Sequence, residues 1–519
     1  MFIDHWAHET PDCVAIQMAG SGEAVTFAEL ERASNQGAHL LRSLGLQRGD
    51  VFAIWSTNNP RYLELAFTMQ RSGLYMCPIA SKLTAPEAAY IVDDSGARIL
   101  IIDASIGAPA EELARDLAAL CPKVERVFAI RSDLPGAPRW EAAAAPLPGT
   151  PIADQSAGLT MVYSSGTTGK PKGVHRPLSE QAYDGEDSLQ LMHRHVFKTQ
   201  PGTIFVATAP LYHTGPLHFV LSELKLGATV LVFEKFDAEK VLAGIEHHGA
   251  VRGQFVPTMF TRMLKLPEEV RSHYDLSSMQ LALHSAAPCP VEVKQAMIDW
   301  WGPILFEIYG GTENAGSTMI DSHEWLKKPG SVGKSMLGII HVCGEDGQEL
   351  PPGETGLIYF EGNAGFDYLN DDAKTRDSRH PSRANWATFG DIGHVDEDGY
   401  LFLSDRRAFM IICGGVNIYP QEAENLLTMH PKVADVAVFG VPDPDMGEQV
   451  KAVVQPAAGI AAGPELEAEL IAWCKTQLAS LKCPKSIDFD DALPRDPTGK
   501  MLKKQLRERY WQAMPAAAV

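Results

Sequence analysis

Short apolar runs, each following a helical stretch, recur along this chain and leave few architectures open. Val51 to Trp55 is the first, and the same rhythm returns at Ala97 to Ile102, Thr203 to Ala207, Ala228 to Phe233 and Leu357 to Phe360. Strands that alternate with helices close most simply into an α/β fold with largely parallel sheets, because each crossover helix covers a sheet face. Ahead of the first run, Thr26 and Glu29 form a capping-box pattern that opens a helix through Leu30, Ala33, Leu41 and Leu44 to Gly45. Residues 104 to 156, rich in Ala and Pro, read as a surface excursion. The texture changes near residue 405. A helix from Pro420 through Leu427, strands at Val433 to Val441 and Lys451 to Val454, an Ala/Gly/Pro linker at 456–464 and a further helix make a small α+β domain of about a hundred residues. The expected division is 1–404, a hinge at 405–408, and 409–519.

Tyr163 to Val174 reads Y-S-S-G-T-T-G-K-P-K-G-V, with five hydroxyls, three glycines and two lysines in twelve residues. Glycine lets backbone N–H groups approach an anion, Ser and Thr add donors, and lysine adds charge, which suits nucleotide phosphates. The segment departs from the Walker loop: two residues separate Gly166 from Gly169, and Pro171 follows Lys170 where Ser or Thr is required. A Gly/Ser/Thr-rich surface loop would explain any four of these residues, but not all twelve in this order.

This dodecamer resembles the phosphate-binding signature of the adenylate-forming superfamily, which includes acyl-CoA synthetases, luciferases and peptide-synthetase adenylation domains. The resemblance extends from about residue 5 to 510. It implies a large N-terminal domain of layered α/β sheets, a small mobile α+β C-terminal domain, and Ser164, Ser165, Gly166, Thr167, Thr168, Gly169 and Lys172 around the phosphates of ATP. Tyr309-Gly310-Gly311-Thr312-Glu313 is similar to the family's Y-G-x-T-E. There Tyr309 and Gly310 offer a flat, open face for adenine, Thr312 reaches the α-phosphate, and Glu313 is a hard oxygen ligand for Mg²⁺. In Trp386-Ala-Thr-Phe-Gly390-Asp391, Phe389 replaces the usual Thr. By resemblance Asp391 accepts from the ribose hydroxyls and Arg406 adds a donor. Ser285-Ala286-Ala287-Pro288 resembles the wall shared by the adenine and acyl pockets. Pro494-Arg-Asp-Pro-Thr-Gly-Lys500 resembles the C-terminal catalytic-lysine motif, in which a point charge on a long stem bridges carboxylate and α-phosphate. Taken alone, Glu313 and Lys500 would read as solvated turn residues and His213 as structural.

The same resemblance implies His213, in P-L-Y-H-T-G, beside the acyl carboxylate. It places Gly414 and Gly415 on a loop lining a tunnel for CoA, and a hinge at Ala408, where the family usually carries Asp or Lys. Small residues at Gly215, Gly310 and Gly311, with His284 and Ser285 beside them and Phe219 and Met336 on a far wall, imply room for a bulky or long apolar acid. No Lys or Arg is evident among these positions to meet a second carboxylate. The expected activity is AMP-forming acyl-CoA synthesis from a fatty, steroid side-chain or aryl acid, using ATP, Mg²⁺ and CoA. The adenylate would be formed with Thr168, Glu313, His213 and Lys500 in catalytic roles. A second reading passes the acyl group to an amine, a carrier-protein thiol or oxygen. A scaffold that has lost catalysis is disfavoured because Lys500, Glu313, Asp391 and Thr168 are all present.

The formal net charge of −20, from 45 basic and 65 acidic residues without a basic block, disfavours nucleic acid and anionic membranes as partners. Eight scattered cysteines without a C-x-x-C pair read as reduced thiols of a cytoplasmic protein. The start has neither a basic nor an apolar leader region, and no apolar run reaches membrane-spanning length. A monomer or homodimer is expected.

Overall fold

A computed structural model of the chain describes residues 2–164, 171–495 and 501–512. Its contacts divide the chain into two units. The first takes residues 1–286, 296–314 and 365–377; the second takes 287–295, 315–364 and 378–519. The boundary expected at 405–408 falls inside the second unit.

Two parallel sheets build the first unit. In one, Val51–Trp55 is flanked by Tyr75–Ile79 and Ile99–Asp103, with Arg126–Ile130 and Leu159–Thr160 at the edges, all pairs parallel. Its three central strands are buried on both faces, which explains their continuous apolar runs. The capping box forms as expected: the Thr26 side chain accepts from the Glu29 N–H and starts helix Phe27–Ser43. The Ala/Pro-rich stretch is not an excursion, however. It supplies helix Ala108–Leu120 and the edge strand Arg126–Ile130, and buries Ala110, Leu113, Cys121 and Ala129 in the core of this sheet.

The second sheet runs, in spatial order, Val14–Met18, Thr229–Val232, Ile204–Ala207, Arg252–Phe255, Leu281–His284 and Leu305–Gly310, again all parallel, with Ala24–Thr26 antiparallel at one edge. Ligands of open parallel sheets bind beyond the carboxyl ends of the strands. Several of the expected site residues follow those ends.

In the second unit the strands are antiparallel except for Ser486–Phe489, which runs parallel to Gly447–Pro456. Gly356–Glu361 pairs Ile339–Cys343, and Asp391–Val395 pairs Leu401–Arg406. The apolar run at 357–360 is therefore a strand, but not one of a parallel sheet. Further along, Val433–Asp443 and Gly447–Pro456 form a long antiparallel pair covered by helices Pro420–Thr428 and Pro464–Lys475, with Leu427, Val438, Val454 and Leu470 in the core between them. All eight cysteines are free and six are buried. Among the described residues no helix is long and apolar enough to cross a membrane.

Candidate active site

The strands that enter and leave the glycine-rich segment, Val162–Ser164 and Lys172–His175, pair antiparallel, with Ser164 opposite Lys172. A Walker loop runs from strand into helix; this one is carried by a hairpin. Tyr163 anchors it, donating to Asp94 Oδ2 at 2.7 Å, and its ring lies so close to Gly173 that a Cβ there would come within 2.9 Å. Lys172 forms an ion pair with Asp371 at 2.9 Å. That hydrogen bond raises the lysine above its ordinary value, while the Lys374 backbone N–H and Lys172 together lower Asp371. Ser165, Gly166, Thr167, Thr168, Gly169 and Lys500 lie outside the described residues.

Beyond the carboxyl end of Leu305–Gly310, Thr312 Oγ1 lies 3.4 Å from Thr214 Oγ1, and Glu313 Oε1 accepts from the Tyr368 hydroxyl at 2.6 Å. Tyr309 and Gly310 end that strand. Thr214 and Gly215 open helix Thr214–Lys225, with His213 at its N-cap. A Cβ on Gly215 would stand 3.8 Å from Phe219 Cε2 and 4.0 Å from Ser285 Oγ. Ala286, just after Ser285, holds φ of 77°, a left-handed turn that is unusual for a residue with a Cβ. Thr312, Thr214, Gly215, Phe219 and Ser285 thus come together in the first unit. His284 does not join them. Its register partner Phe255 packs on Phe260 and Trp301, and His284 packs on Phe260 and lies 3.8 Å from Glu307, on the opposite face of the sheet.

Two polar residues of this region escaped the sequence reading. Arg176, directly after the phosphate hairpin, is lowered by burial, while the Glu313 carboxylate acts to raise it. Its guanidinium makes no hydrogen bond or ion pair among the described residues. Next to it, His218 meets Thr160 Oγ1 at 3.1 Å and is held at about 4 by burial and then by the charge of Arg176. Arg176 thus sets a cation beside His218 of helix Thr214–Lys225, outside the acyl positions named from the sequence. Gln254, on Arg252–Phe255, is the other. No motif marks either residue.

In the second unit Arg406 Nε lies 3.3 Å from Asp391 Oδ1, on paired strands. Gly390, at φ of 83°, turns the chain into Asp391 and donates to Thr388 Oγ1, so the turn keeps one hydroxyl although Phe389 packs on Phe360 instead. Ala287 and Pro288 belong to this unit, as does Met336, which is largely exposed. Ala408 lies in a single 3₁₀ turn and its carbonyl accepts from Arg507 at 3.2 Å. Gly414 and Gly415, at φ of 57° and 79°, form the tight turn between Ile411–Cys413 and Val416–Ile418. The residues flanking Lys500 are fixed by an antiparallel bridge between Arg495 and Met501 and by Leu502 N–H on the Pro494 carbonyl.

For magnesium the donor set is spare. Among the described residues no group of three His, Cys, Asp or Glu is placed to hold a metal. Glu313 has one oxygen on Tyr368 and a second available, which fits a small cation that takes one or two carboxylates and fills the rest of its shell with phosphate and water.

The model of AMP-binding enzymes matches residues 3–367, and that of the AMP-binding enzyme C-terminal domain matches 422–500. The chain belongs to the AMP-binding enzyme family. This AMP-binding enzyme is 35% identical over 509 residues to a feruloyl-CoA synthase of Amycolatopsis, covering 97% of each chain. It is 31% identical over 511 residues to a long-chain-fatty-acid–CoA ligase of Mycobacterium tuberculosis, covering 95% of this chain and 94% of that one. The ATP-bound crystal structure of MatB from Rhodopseudomonas palustris shares the fold with a TM-score of 0.80 at 28% identity, over 98% and 99% of the two chains. The adenylate-forming fold expected from the motifs is thereby borne out.

Proposed function

We propose that this enzyme is an acyl-CoA synthetase that activates a bulky carboxylic acid as its adenylate and then forms the CoA thioester. The observation that carries the reading is the meeting of Thr214 and Thr312 beyond the carboxyl ends of the parallel strands, with Glu313 beside them and a hydroxyl-rich hairpin in the same unit. The carboxylate attacks the α-phosphorus of ATP and pyrophosphate leaves. Lys172 and the hydroxyls of residues 164–168 hold the phosphates, Thr312 donates to the α-phosphate, and Asp391 with Arg406 holds the ribose. Lys500 neutralises charge between carboxylate and phosphate. Glu313 would hold Mg²⁺, which when bound supplies positive charge to the phosphate oxygens. The thiol of CoA then attacks the mixed anhydride, passing Gly414 and Gly415, after the C-terminal domain has turned about 405–408. No protein nucleophile is needed. The named relatives act on a hydroxycinnamic acid and on long-chain fatty acids, which supports an aryl or fatty acid here.

The test is acid-dependent pyrophosphate release from ATP and magnesium, followed by AMP and thioester formation when CoA is added. Pyrophosphate with CoA-dependent thioester is the expected result. Adenylate that is consumed by amines but not by CoA would move the assignment to an amide-forming ligase, and absence of AMP with every acid would remove it.

A further inference from the structure

Strand Arg252–Phe255 sits inside its sheet, paired parallel on both sides, so its side chains alternate between two buried faces. Arg252 and Gln254 share the face covered by helix Thr214–Lys225. Arg252 settles there on Glu223 of the helix, at 3.2 and 3.3 Å, and Glu223 also takes His193 and Thr199. Two residues on, Gln254 is only 1% exposed, and its carbonyl accepts from Thr208 Oγ1 at 2.7 Å. Its side-chain Nε2 is buried and has no hydrogen-bond partner among the described residues. That nitrogen lies 3.6 Å from where a Cβ on Gly215 would stand, the same point that faces Phe219 and Ser285. The helix has a glycine where the amide points, and the space kept open is bordered by one aromatic ring, one hydroxyl and one unmet donor.

A buried donor without an acceptor is costly, and it is seldom retained in an apolar pocket that receives only hydrocarbon. Leucine would fill the same volume without that cost. We propose that Gln254 determines specificity at the acyl site by donating to an oxygen atom that the acid carries away from its reacting carboxylate, so that this enzyme prefers hydroxylated or keto acids to their hydrocarbon parents. This rests on the acyl-activating reading above and narrows its substrate class. A hydroxyl meets the amide in either orientation of its two ends, and a carbonyl in one. Arg176, a cation beside His218 of helix Thr214–Lys225, adds positive potential that favours an electron-rich oxygen. Sites that hydrogen-bond a substrate oxygen reject the analogue lacking it far more strongly than a hydrophobic pocket rejects a missing methylene.

The experiment compares wild type with Gln254→Leu, using cinnamate against its 2-, 3- and 4-hydroxy derivatives and decanoate against its keto derivatives. Binding of each acid is titrated calorimetrically with a non-hydrolysable ATP analogue, and pyrophosphate release is measured in parallel. In the wild type the best oxygenated acid should bind roughly ten- to hundredfold more tightly than its parent. In Gln254→Leu that ratio should fall toward one through weaker binding of the oxygenated acid, with the parent unchanged or tighter. The melting temperature of the unliganded variant should be unchanged or higher, since an unmet donor has been removed. Gln254→Met, which keeps the length of the side chain and has no donor, should lose the preference as well. A wild type that binds parent and oxygenated acids alike, or a Leu variant that keeps the preference, would overturn the proposal. So would equal loss on both acids with a lowered melting temperature, which is the mark of a structural glutamine. Oxygenated acids that bind selectively without pyrophosphate release would support Gln254 while counting against the reaction.

Discussion

Lys172 shows how a motif residue acquires a competitor that the motif does not mention. Its ammonium is engaged by Asp371, two hundred residues away in sequence and 2.9 Å away in space. If Lys172 holds the phosphates as proposed, ATP draws it from that carboxylate, so Asp371→Asn should tighten ATP binding by about three- to tenfold, the range expected for a partly exposed ion pair. Lys172→Met should weaken it by more. The pairing lowers Asp371 and raises Lys172. The depressed carboxylate keeps its charge until pH falls through its lowered value, and the lysine keeps its own until pH rises through its raised value. The ratio of wild-type to Asp371→Asn affinity should therefore stay flat from pH 5 to 9, as measured by ATP titration; a ratio that collapses within that window would discard the competition. Lys172, Thr312, Glu313 and Asp391 could be singled out in the sequence because they lie in segments that resemble the family's motifs. Asp371, Arg176 and Gln254 were not, because their significance lies in having or lacking a partner that only the fold supplies.

At the scale of elements, periodicity marked the strands but not their directions. Val51–Trp55 was readable as a strand of a parallel sheet, yet Gly356–Glu361 carries a similar apolar run in an antiparallel one. Helix Ala108–Leu120 went unread because it is rich in alanine, lies in an Ala- and Pro-rich stretch, and buries only Ala110 and Leu113. Glycine pairs are more informative. In the hairpin Ile411–Ile418 both turn residues hold positive φ, and Gly414 additionally abuts Met446, whose Cε would lie 2.4 Å from an added Cβ. Nothing stands within 4 Å of a Cβ on Gly415. Alanine at either position should cost about 1–2 kcal/mol for the left-handed backbone. Gly414→Ala should cost more and displace the turn. If this hairpin guides the thiol, Gly414→Ala will slow thioester formation more than adenylate formation, and Met446→Ala will restore part of the loss. Stopped-flow measurement of the two half-reactions separates them. Equal slowing of both by Gly414→Ala would mean that the turn serves only stability.

For the molecule as a whole, the proposed mechanism requires one site to serve two chemistries in sequence, and the proposed hinge at 405–408 would carry that demand. Position 408, where the family usually carries Asp or Lys, has no charge of its own: Ala408 contributes only a backbone, whose carbonyl is held by Arg507, and Arg507 in turn pairs Glu448 at 2.9 Å. In this arrangement the Ala408 N–H makes no hydrogen bond among the described residues, so proline there removes no bond. It would fix φ near its present helical turn and disfavour the helical conformation of Arg407 before it, for a modest fall in melting temperature. If the chain must rotate about Ala408 between half-reactions, Ala408→Pro retains pyrophosphate release in a single turnover and loses thioester formation by at least tenfold, since a hinge that absorbs a large φ change cannot do so with that angle fixed. Arg507→Met frees the Ala408 carbonyl without restricting the chain, and should leave adenylate formation intact while changing thioester formation far less than the proline does. A proline variant that loses both half-reactions equally, at a melting temperature close to wild type, would place the pivot elsewhere in the chain.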